Sequence, residues 1–224
     1  MRNDFEDNYL MHHGVKGQKW GVKNGPPYPL GDDVLTKKLY SEARKKEPQI
    51  TKDVTHAVKA CGAKMYGIEH KLKTKESIAR KISTDSKEKN ITPYESAMDI
   101  KDAVRYTALS EDNDFVSNYI SIKDSLESKG YEEIRCKNYF DLYNQGKVKH
   151  KSVQSVFKNP DGYRFEIQFH TPSSQEAKDK KVPIYEERRK PGLSKERQLE
   201  LEKQMEELAE KVTEPRDIKR IKTH

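Results

Sequence analysis

Lysines and a serine hydroxyl surround a predicted helix start in residues 71–82. Thr74 is a residue type that caps helices, and Ile78 and Ile82 lie one turn apart on the face that such a helix would bury. The polar groups near this start are Lys71, Lys73, Ser77 and Lys81. Because free backbone N–H groups and the helix dipole favour negative charge there, these side chains are suited to bind a polyphosphate. A solvated, lysine-rich helix start is the alternative interpretation.

A second candidate for chemistry is Glu166, which alternates with phenylalanine and isoleucine residues in a predicted strand. Asp102 or Asp99, from an earlier predicted strand, would approach Glu166 if the two strands are neighbours. Two carboxylates repel each other unless a cation lies between them, and Mg²⁺ takes one or two carboxylates together with phosphate oxygens. The pattern therefore predicts a metal and phosphate site in which a carboxylate draws a proton from an attacking hydroxyl. A half-buried structural strand shows the same alternation.

Four blocks of this kind follow one another along the chain. They comprise residues 71–82, 100–107, 151–157 and 165–171. Their order and spacing resemble the synthetase domain of the RelA/SpoT family, which transfers pyrophosphate from ATP to the 3′-hydroxyl of a nucleotide. The resemblance covers about residues 54–189.

The resemblance assigns roles to the first two blocks. The family's Arg-x-Lys-x-x-x-Ser-Ile-x-x-Lys block binds ATP, and Lys71, Lys73, Ser77 and Lys81 fall at its positions, with Lys71 in place of Arg. The family's Asp-x-x-Gly-x-Arg strand coordinates Mg²⁺ and resembles the segment that ends at Arg105. This implies that Arg105 belongs to the ATP site and that Asp102 binds the metal. Since the spacing differs from the family pattern, Asp99 stays an alternative.

The last two blocks imply a catalytic carboxylate and an acceptor site. The family's Glu-x-Gln-x-Arg-Thr is similar to Glu166, Gln168, His170 and Thr171, with His in place of Arg, so Glu166 would be catalytic and would also bind the metal. The acceptor block Gly-Tyr-x-Ser-Leu-His resembles residues 149–154. The resemblance implies that the acceptor is bound by His150, Lys151, Ser152, Gln168 and His170. His150 takes the place of the tyrosine that stacks on guanine, so the acceptor need not be GTP or GDP.

Residues 10–23 carry a different signature, in which the only tryptophan, Trp20, lies between lysine and glycine. The peptide resembles the His-His-Gly-Val-Lys-Gly-x-Lys-Trp-Gly-Val sequence of head-associated proteins of tailed phages. That resemblance implies a phage- or prophage-encoded protein, with the peptide as an attachment tag for a capsid or portal component. The expected location is the bacterial host cytoplasm or the virion.

The composition limits the size of the core. Of the 224 residues, 33% are hydrophobic and 36% are charged, and the mean hydropathy is −1.08. We therefore expect one domain of moderate size with solvated extensions, and no membrane partner, since no apolar run approaches the roughly 20 residues of a membrane span. The two cysteines are far apart, which favours neither a disulfide framework nor a zinc site. A net charge of +7 favours polyanionic partners.

Periodicity and breakers predict the elements that position these residues. A helix is expected from Asp33 to Lys45, ended by Pro48, and a second from about Thr51 with an apolar stripe as far as Leu72. Strands are expected at residues 99–109, 132–139, 152–157 and 163–170, with a hairpin turn at residues 159–162 between the last two. Further helices are expected at 115–129, 173–190 and 194–212. The order predicts an α/β (α+β) fold with a mixed or mostly antiparallel four- to five-stranded sheet and flanking helices, of the nucleotidyltransferase type.

Three segments and two functions follow from this pattern. Residues 1–33 form the tag and linker, residues 34–190 the catalytic domain, and residues 191–224 a helix and a basic tail. The first hypothesis is Mg²⁺-dependent pyrophosphate transfer from ATP to a nucleotide or an RNA 3′-hydroxyl by a toxin-like effector. The second is a non-catalytic virion-associated or nucleic-acid-binding protein that retains this fold. ADP-ribosyl transfer is a third class, for which the sequence offers no convincing motif.

Overall fold

The computed structural model describes residues 32–188 and 192–224. Its helices are α1 (Asp32–Ala60), α2 (Lys75–Glu88), α3 (Pro93–Asp99), α4 (Phe115–Glu127), α5 (Tyr139–Asn144), α6 (Pro172–Arg188) and α7 (Lys195–Glu210). Its strands are β1 (Lys64–Tyr66), β2 (Arg105–Leu109), β3 (Glu132–Asn138), β4 (Val153–Lys158) and β5 (Arg164–His170). Short 3₁₀ turns occupy Ile68–His70 and Ile218–Arg220. None of the described helices has both the length and the apolar composition that a membrane crossing requires.

The five strands form one mixed sheet in the order β1-β2-β5-β4-β3. β5 runs parallel to β2 and antiparallel to β4, and the pairs β1–β2 and β3–β4 are antiparallel. The hairpin between β4 and β5 turns through Asn159, Pro160, Asp161 and Gly162, as the sequence predicts. Gly162 has a φ of +85°, a conformation that glycine adopts without a steric cost. The predicted fold class is confirmed.

One face of the sheet carries the apolar core. Phe165, Ile167 and Phe169 of β5 are at most 2% exposed on this face. Tyr119 of α4 meets Phe169 edge to face, with ring centroids 5.0 Å apart. The polar residues of β5 therefore point to the opposite face, since successive side chains of a strand alternate.

The first helix does not end at Pro48, so that prediction is wrong. α1 continues to Ala60 with Pro48 inside it. Ile50, Val54 and Val58 beyond the proline are fully buried. Burial of each such side chain stabilises by about 1.5–3 kcal/mol, which together offsets the roughly 3 kcal/mol cost of an interior proline. The predicted stripe as far as Leu72 is also wrong, because Gly62 adopts φ +82° and the chain turns into β1.

The prediction of a strand at residues 99–109 is correct only for its second half. Only Arg105–Leu109 is a strand, and Asp99 is the last residue of α3. The signal for α3 is a capping box, in which Thr92 accepts a hydrogen bond from the Glu95 amide while the Glu95 side chain bonds back to the Thr92 amide, followed by Pro93 at the first helical position. The sequence reasoning also missed α5, which begins after the buried cap residue Asn138.

The chain divides into two compact units, of which the first contains the described residues 32–41 together with Thr74–Ile100. Thr74 caps α2 by accepting a hydrogen bond from the Ser77 amide at 3.2 Å. Ile78 and Ile82 are fully buried, which confirms the predicted helix start and its apolar face. Inside this unit the Ser96 hydroxyl donates to the carbonyl of Ile82 and ties α3 to α2.

The second unit contains Glu42–Lys73, which includes β1, and the described residues of Lys101–His224, which include the other four strands. Its last segment, predicted as a basic tail, packs on β3. Cys136 and His224 exchange both backbone hydrogen bonds, at 3.1 and 2.9 Å, and Ile218 and Ile221 are buried. The predicted domain boundaries stay predictions, and residues 1–31 and 189–191 lie outside the described part of the chain.

Candidate active site

Glu166 lies at the centre of the polar face of the sheet. Its register partners are Arg105 on the parallel strand β2 and Val156 on the antiparallel strand β4. Glu166, Gln168 and His170 are each at most 7% exposed. The carboxylate predicted to be catalytic is thus held on a central strand, with an arginine beside it in register.

A chain of hydrogen bonds fixes the Glu166 side chain. Gln168 Nε2 donates to Glu166 Oε1 at 2.6 Å, and Lys178 Nζ of α6 donates to Gln168 Oε1 at 2.7 Å. Burial, reinforced by the positive charge of Arg105, lowers the pKa of Lys178 to about 8. The amide of Gln168 therefore connects a buried carboxylate to a partly buried lysine.

Asp102 has a different environment from the one predicted. Its carboxylate forms an ion pair with Lys73. Backbone pairing brings the two segments together, since the Lys73 amide donates to the Ala103 carbonyl at 2.9 Å and the Arg105 amide donates to the Lys71 carbonyl at 2.7 Å. The Lys71 ammonium lies 3.3 Å from Glu47. The lysine pair of the predicted ATP block therefore runs along the start of β2, whereas Ser77 and Lys81 belong to the first unit.

The predicted acceptor residues line one cavity of about 170 Å³. All five are present: His150, Lys151, Ser152, Gln168 and His170. Lys178 and Lys181 of α6 also line it, and none of its described lining residues carries a carboxylate. We call this cavity the lysine pocket. Sequence blocks that lie about 15 residues apart thus meet in one place.

The ammonium groups of the lysine pocket donate hydrogen bonds to carbonyl oxygens, while the charges of Glu210 and Glu214 act on Lys151. Burial lowers the pKa of Lys181 to about 8, with the charge of Lys151 as a second cause. Burial also lowers the pKa of Lys151, whose ammonium donates to the Val212 carbonyl at 2.9 Å. The Lys181 ammonium donates to the Lys149 carbonyl at 2.7 Å. Ammonium groups held by carbonyl oxygens instead of carboxylates favour an anionic ligand.

The two histidines of the pocket are neutral near pH 7. Complete burial lowers the pKa of His170 far below its usual value, and its Nδ1 lies 2.9 Å from the Ser174 hydroxyl. Its Nε2 is buried without a hydrogen-bond partner among the described residues, as is the hydroxyl of Ser152. Desolvation and the charge of Lys181 lower the pKa of His150. Two unpaired polar atoms at this cavity indicate a polar ligand.

The sequence reasoning missed Arg135 and Tyr139. Arg135 of β3 pairs with Val156, which pairs with Glu166, so the three side chains share the polar face. The Nε of Arg135 is buried and has no hydrogen-bond partner within the described residues. Burial and the charge of Glu166 raise the pKa of Tyr139, and Arg135 opposes that effect. The alternation of polar Arg135 with apolar Cys136 could have placed Arg135 on the polar face. No comparable sequence signal marks Lys178 and Lys181.

Comparison with solved structures decides the fold. Small alarmone synthetase 2 from Bacillus subtilis matches over 78% of this chain and 89% of its own, with a TM-score of 0.52 and 16% sequence identity. The chain has an alarmone synthetase-like fold. At 16% sequence identity, this likeness shows the fold alone.

Two further solved structures resemble this alarmone synthetase-like chain. Small alarmone synthetase 1 from Bacillus subtilis, bound to its product pppGpp, has a TM-score of 0.49 at 14% identity and covers 76% of this chain and 88% of its own. The Type VI effector Tas1, in complex with its immunity protein, has a TM-score of 0.48 at 18% identity, with 79% and 97% covered. Residues 3–27 match a family of unknown function (DUF7211). No curated protein matches the sequence.

The sequence resemblance leads us to expect a divalent metal, and the described residues fit one only in part. They contain no group of three histidine, cysteine or acidic side chains that would hold an ion. Asp102 is paired with Lys73. Of the two carboxylate oxygens of Glu166, Oε1 accepts a hydrogen bond and Oε2 accepts none from the described residues. This donor set fits a Mg²⁺ that binds one protein carboxylate and takes its other ligands from phosphates and water.

Proposed function

We propose that the chain transfers pyrophosphate from ATP to the 3′-hydroxyl of a nucleotide or of an RNA. The observation that carries this proposal is the position of Glu166, which is oriented by Gln168 and lies on the same sheet face as the residues of the lysine pocket. A buried, oriented carboxylate beside an anion-binding cavity is what the transfer needs, because it can draw the proton from a hydroxyl while cations hold the phosphates.

Separate groups of residues have separate roles in the proposed transfer. Glu166 acts as the general base on the acceptor hydroxyl, and Gln168 keeps its carboxylate in position. The acceptor is bound by the lysine pocket, in which Lys151, Lys178 and Lys181 supply positive charge. Within the second unit, the donor ATP is assigned to Lys71, Lys73 and Arg105. Positioning and charge stabilisation of this kind account for most of the catalysis in phosphoryl-type transfers.

Magnesium enters this proposal with the nucleotide. Glu166 would bind Mg²⁺ together with the phosphates of ATP, and the ion would neutralise charge on the transferred group. Asp102 was the predicted second ligand, and its pairing with Lys73 makes Glu166 the stronger candidate.

The test is a transfer assay with labelled ATP, Mg²⁺ and a panel of nucleotides and tRNA. We expect label on one class of acceptor, and a loss of at least 100-fold in the Glu166→Gln variant, because an amide cannot take up the proton. Glu176→Gln is the matched control, since Glu176 is exposed and pairs with Lys180 on the outside of α6. Absence of transfer to every acceptor, in the presence of correctly folded protein, would refute the proposal.

The Asp102–Lys73 ion pair favours a second candidate, a non-catalytic protein that retains the fold and binds nucleic acid. A carboxylate that is permanently neutralised by a lysine suits a structural role better than a metal site. This candidate predicts salt-dependent binding to DNA or RNA that the Glu166→Gln variant retains, because neutralisation of phosphates by lysine and arginine needs no carboxylate.

We also propose that residues 10–23 attach the protein to a phage capsid or portal component. Their likeness to peptides of tailed-phage head proteins supports this, and Trp20 is the kind of residue that anchors an interface. Co-sedimentation with purified phage heads, compared between the full chain and its Trp20→Ala variant, tests the attachment. Equal recovery of both forms would contradict it.

A further inference from the structure

A groove runs between α6 and α7, beside the lysine pocket. Its volume is about 370 Å³, and its apolar wall includes Val182, Tyr185 and Met205. The two helices pack together and are joined by the ion pairs Arg188–Glu202 and Arg197–Glu187, each at 2.7 Å. The groove is therefore a formed feature of the second unit, with a size typical of small-molecule sites.

The groove and the lysine pocket adjoin each other and share part of their lining. His150, Lys178 and Lys181 line both of them. The lysine pocket is thus rich in ammonium groups and unpaired polar atoms. The groove adds an apolar and aromatic wall, together with Lys149 and Arg188, whose charges are paired with Glu206 and Glu202. This division matches the two chemical parts of a nucleotide, whose phosphates are anionic and whose base is a flat, largely apolar ring.

The aromatic wall lies at an unexpected place. Position 150, where the sequence reasoning placed the stacking residue, holds a histidine whose ring packs on Tyr139 with centroids 4.2 Å apart. Tyr185 is 43% exposed and Val182 is 50% exposed, although both are large apolar residues. Tyr185 therefore offers a larger aromatic surface at the groove than His150 does.

We propose that the groove between α6 and α7 receives the base of a free acceptor nucleotide, whose phosphates lie in the lysine pocket. This inference rests on the proposed function and adds the base-binding wall to it. Stacking against an aromatic ring tolerates any base, so Tyr185 supplies affinity for the heterocycle, whereas Lys178 and Lys181 supply affinity for the phosphates.

The test measures binding to the full chain by titration calorimetry, with a non-hydrolysable ATP analogue and Mg²⁺ present to fill the donor site. The probes are the four ribonucleoside diphosphates and inorganic pyrophosphate. We expect Tyr185→Ala to weaken the best nucleoside diphosphate about tenfold, as loss of base stacking does, and to leave pyrophosphate binding unchanged. Tyr185→Phe should bind like the wild type. Lys181→Met should weaken both probes.

Leu199→Ala is the control, because Leu199 is 65% exposed on α7 and does not line the groove. The proposal is overturned if Tyr185→Ala binds the diphosphates as the wild type does, or if it loses nucleotide and pyrophosphate equally. It is also overturned if no free nucleotide binds, including the case in which tRNA binds instead.

Binding and transfer can fail separately. Nucleotide binding that depends on Tyr185, without label on any acceptor, would refute the proposed function and keep the groove as a base site. Transfer that proceeds with the same KM for the acceptor in wild type and Tyr185→Ala would refute the groove and keep the proposed function.

Discussion

Gln168 Nε2 donates a hydrogen bond to Glu166 Oε1 at 2.6 Å, and the two residues lie two positions apart on the same face of β5. The same amide accepts from Lys178 through its Oε1 at 2.7 Å. Gln168 therefore sets the direction of the carboxylate and lies between it and the ammonium of Lys178.

Replacement of Gln168 by leucine should reduce transfer more than it reduces stability. The Glu166 carboxylate would lose its orienting donor, and misplacement of a reacting group costs on the order of 100-fold in rate. The unpaired carboxylate and lysine should lower the free energy of unfolding by about 2 kcal/mol. Steady-state kcat and urea unfolding measure the two effects. Gln145→Leu, at an exposed residue that bonds Asp141, serves as the control.

The opposite outcome is informative as well. A Gln168→Leu variant with wild-type kcat would mean that Glu166 keeps its orientation without this amide. Its proposed role as a positioning residue would then be wrong.

Replacement of Asp102 by alanine should destabilise the fold, because it removes the carboxylate that pairs with the ammonium of Lys73. The two side chains are only 12% and 16% exposed, and removal of one member of such a pair costs about 3 kcal/mol. The double variant Asp102→Leu with Lys73→Met should recover most of the loss. Urea unfolding of the two single variants and the double variant measures this coupling.

Asp99 provides the comparison for Asp102. Its side chain is 48% exposed and lies 3.3 Å from Lys89, so Asp99→Ala should cost less than about 1 kcal/mol. Unchanged stability of Asp102→Ala, together with loss of Mg²⁺-dependent transfer, would instead identify Asp102 as the metal ligand.

Local sequence signals predicted the parts of this fold that local forces decide. Thr74 at the start of α2 and the turn at residues 159–162 were found because capping and glycine conformations depend on a few neighbouring residues. Pro48 misled the prediction for the opposite reason. Its cost is local, but the buried side chains that offset it face partners distant in sequence.

In the candidate site too, the sequence predicted the residues that local patterns mark and missed those that only tertiary packing places. Glu166 was visible because its charge interrupts an apolar alternation, and the acceptor residues were visible through a family pattern. Lys178 and Lys181 belong to a helix rich in charged residues, and only the packing of α6 against the sheet distinguishes them from Lys180. The pairing of Asp102 with Lys73 could not be predicted, because it depends on backbone hydrogen bonds between residues 71–73 and residues 103–105, which are distant in sequence.

Lys178 should make stability depend on pH in the alkaline range. Burial and Arg105 lower its pKa from 10.5 to about 8, while Asp179 and Glu166 oppose this. Between these values the unfolded chain binds more protons than the native protein does, so the free energy of unfolding contributed by this group rises with pH. Below pH 8 both states are protonated and the destabilisation is complete.

Lys178→Met should therefore stabilise the protein near pH 7, and its advantage over the wild type should shrink as the pH rises from 8 towards 10.5. Urea unfolding of both proteins at a series of pH values measures the difference, in which the titration of all other groups cancels. Lys180→Met should show no such trend, because Lys180 is exposed. A constant difference across this range would contradict the assigned cause.

Asn138 should control the attachment of the C-terminal segment. Its side chain is fully buried. Its Oδ1 accepts from the amides of Phe140 and Asp141 at 3.1 and 3.2 Å, and its Nδ2 donates to the carbonyls of Ile218 and Ile221, both at 3.0 Å. Asn138→Ala removes all four bonds, and we expect a loss of about 3 kcal/mol in the free energy of unfolding.

The loss should also be local, because one side chain joins the start of α5 to residues 218–221. Hydrogen exchange should accelerate at the amides of Cys136 and His224, which pair with each other, before it accelerates in the centre of the sheet. Asn144→Ala is the matched comparison, since Asn144 is exposed and makes a single side-chain bond to Glu214. If both variants exchange at the same rate as the wild type, the segment is held by the burial of Ile218 and Ile221 and not by Asn138.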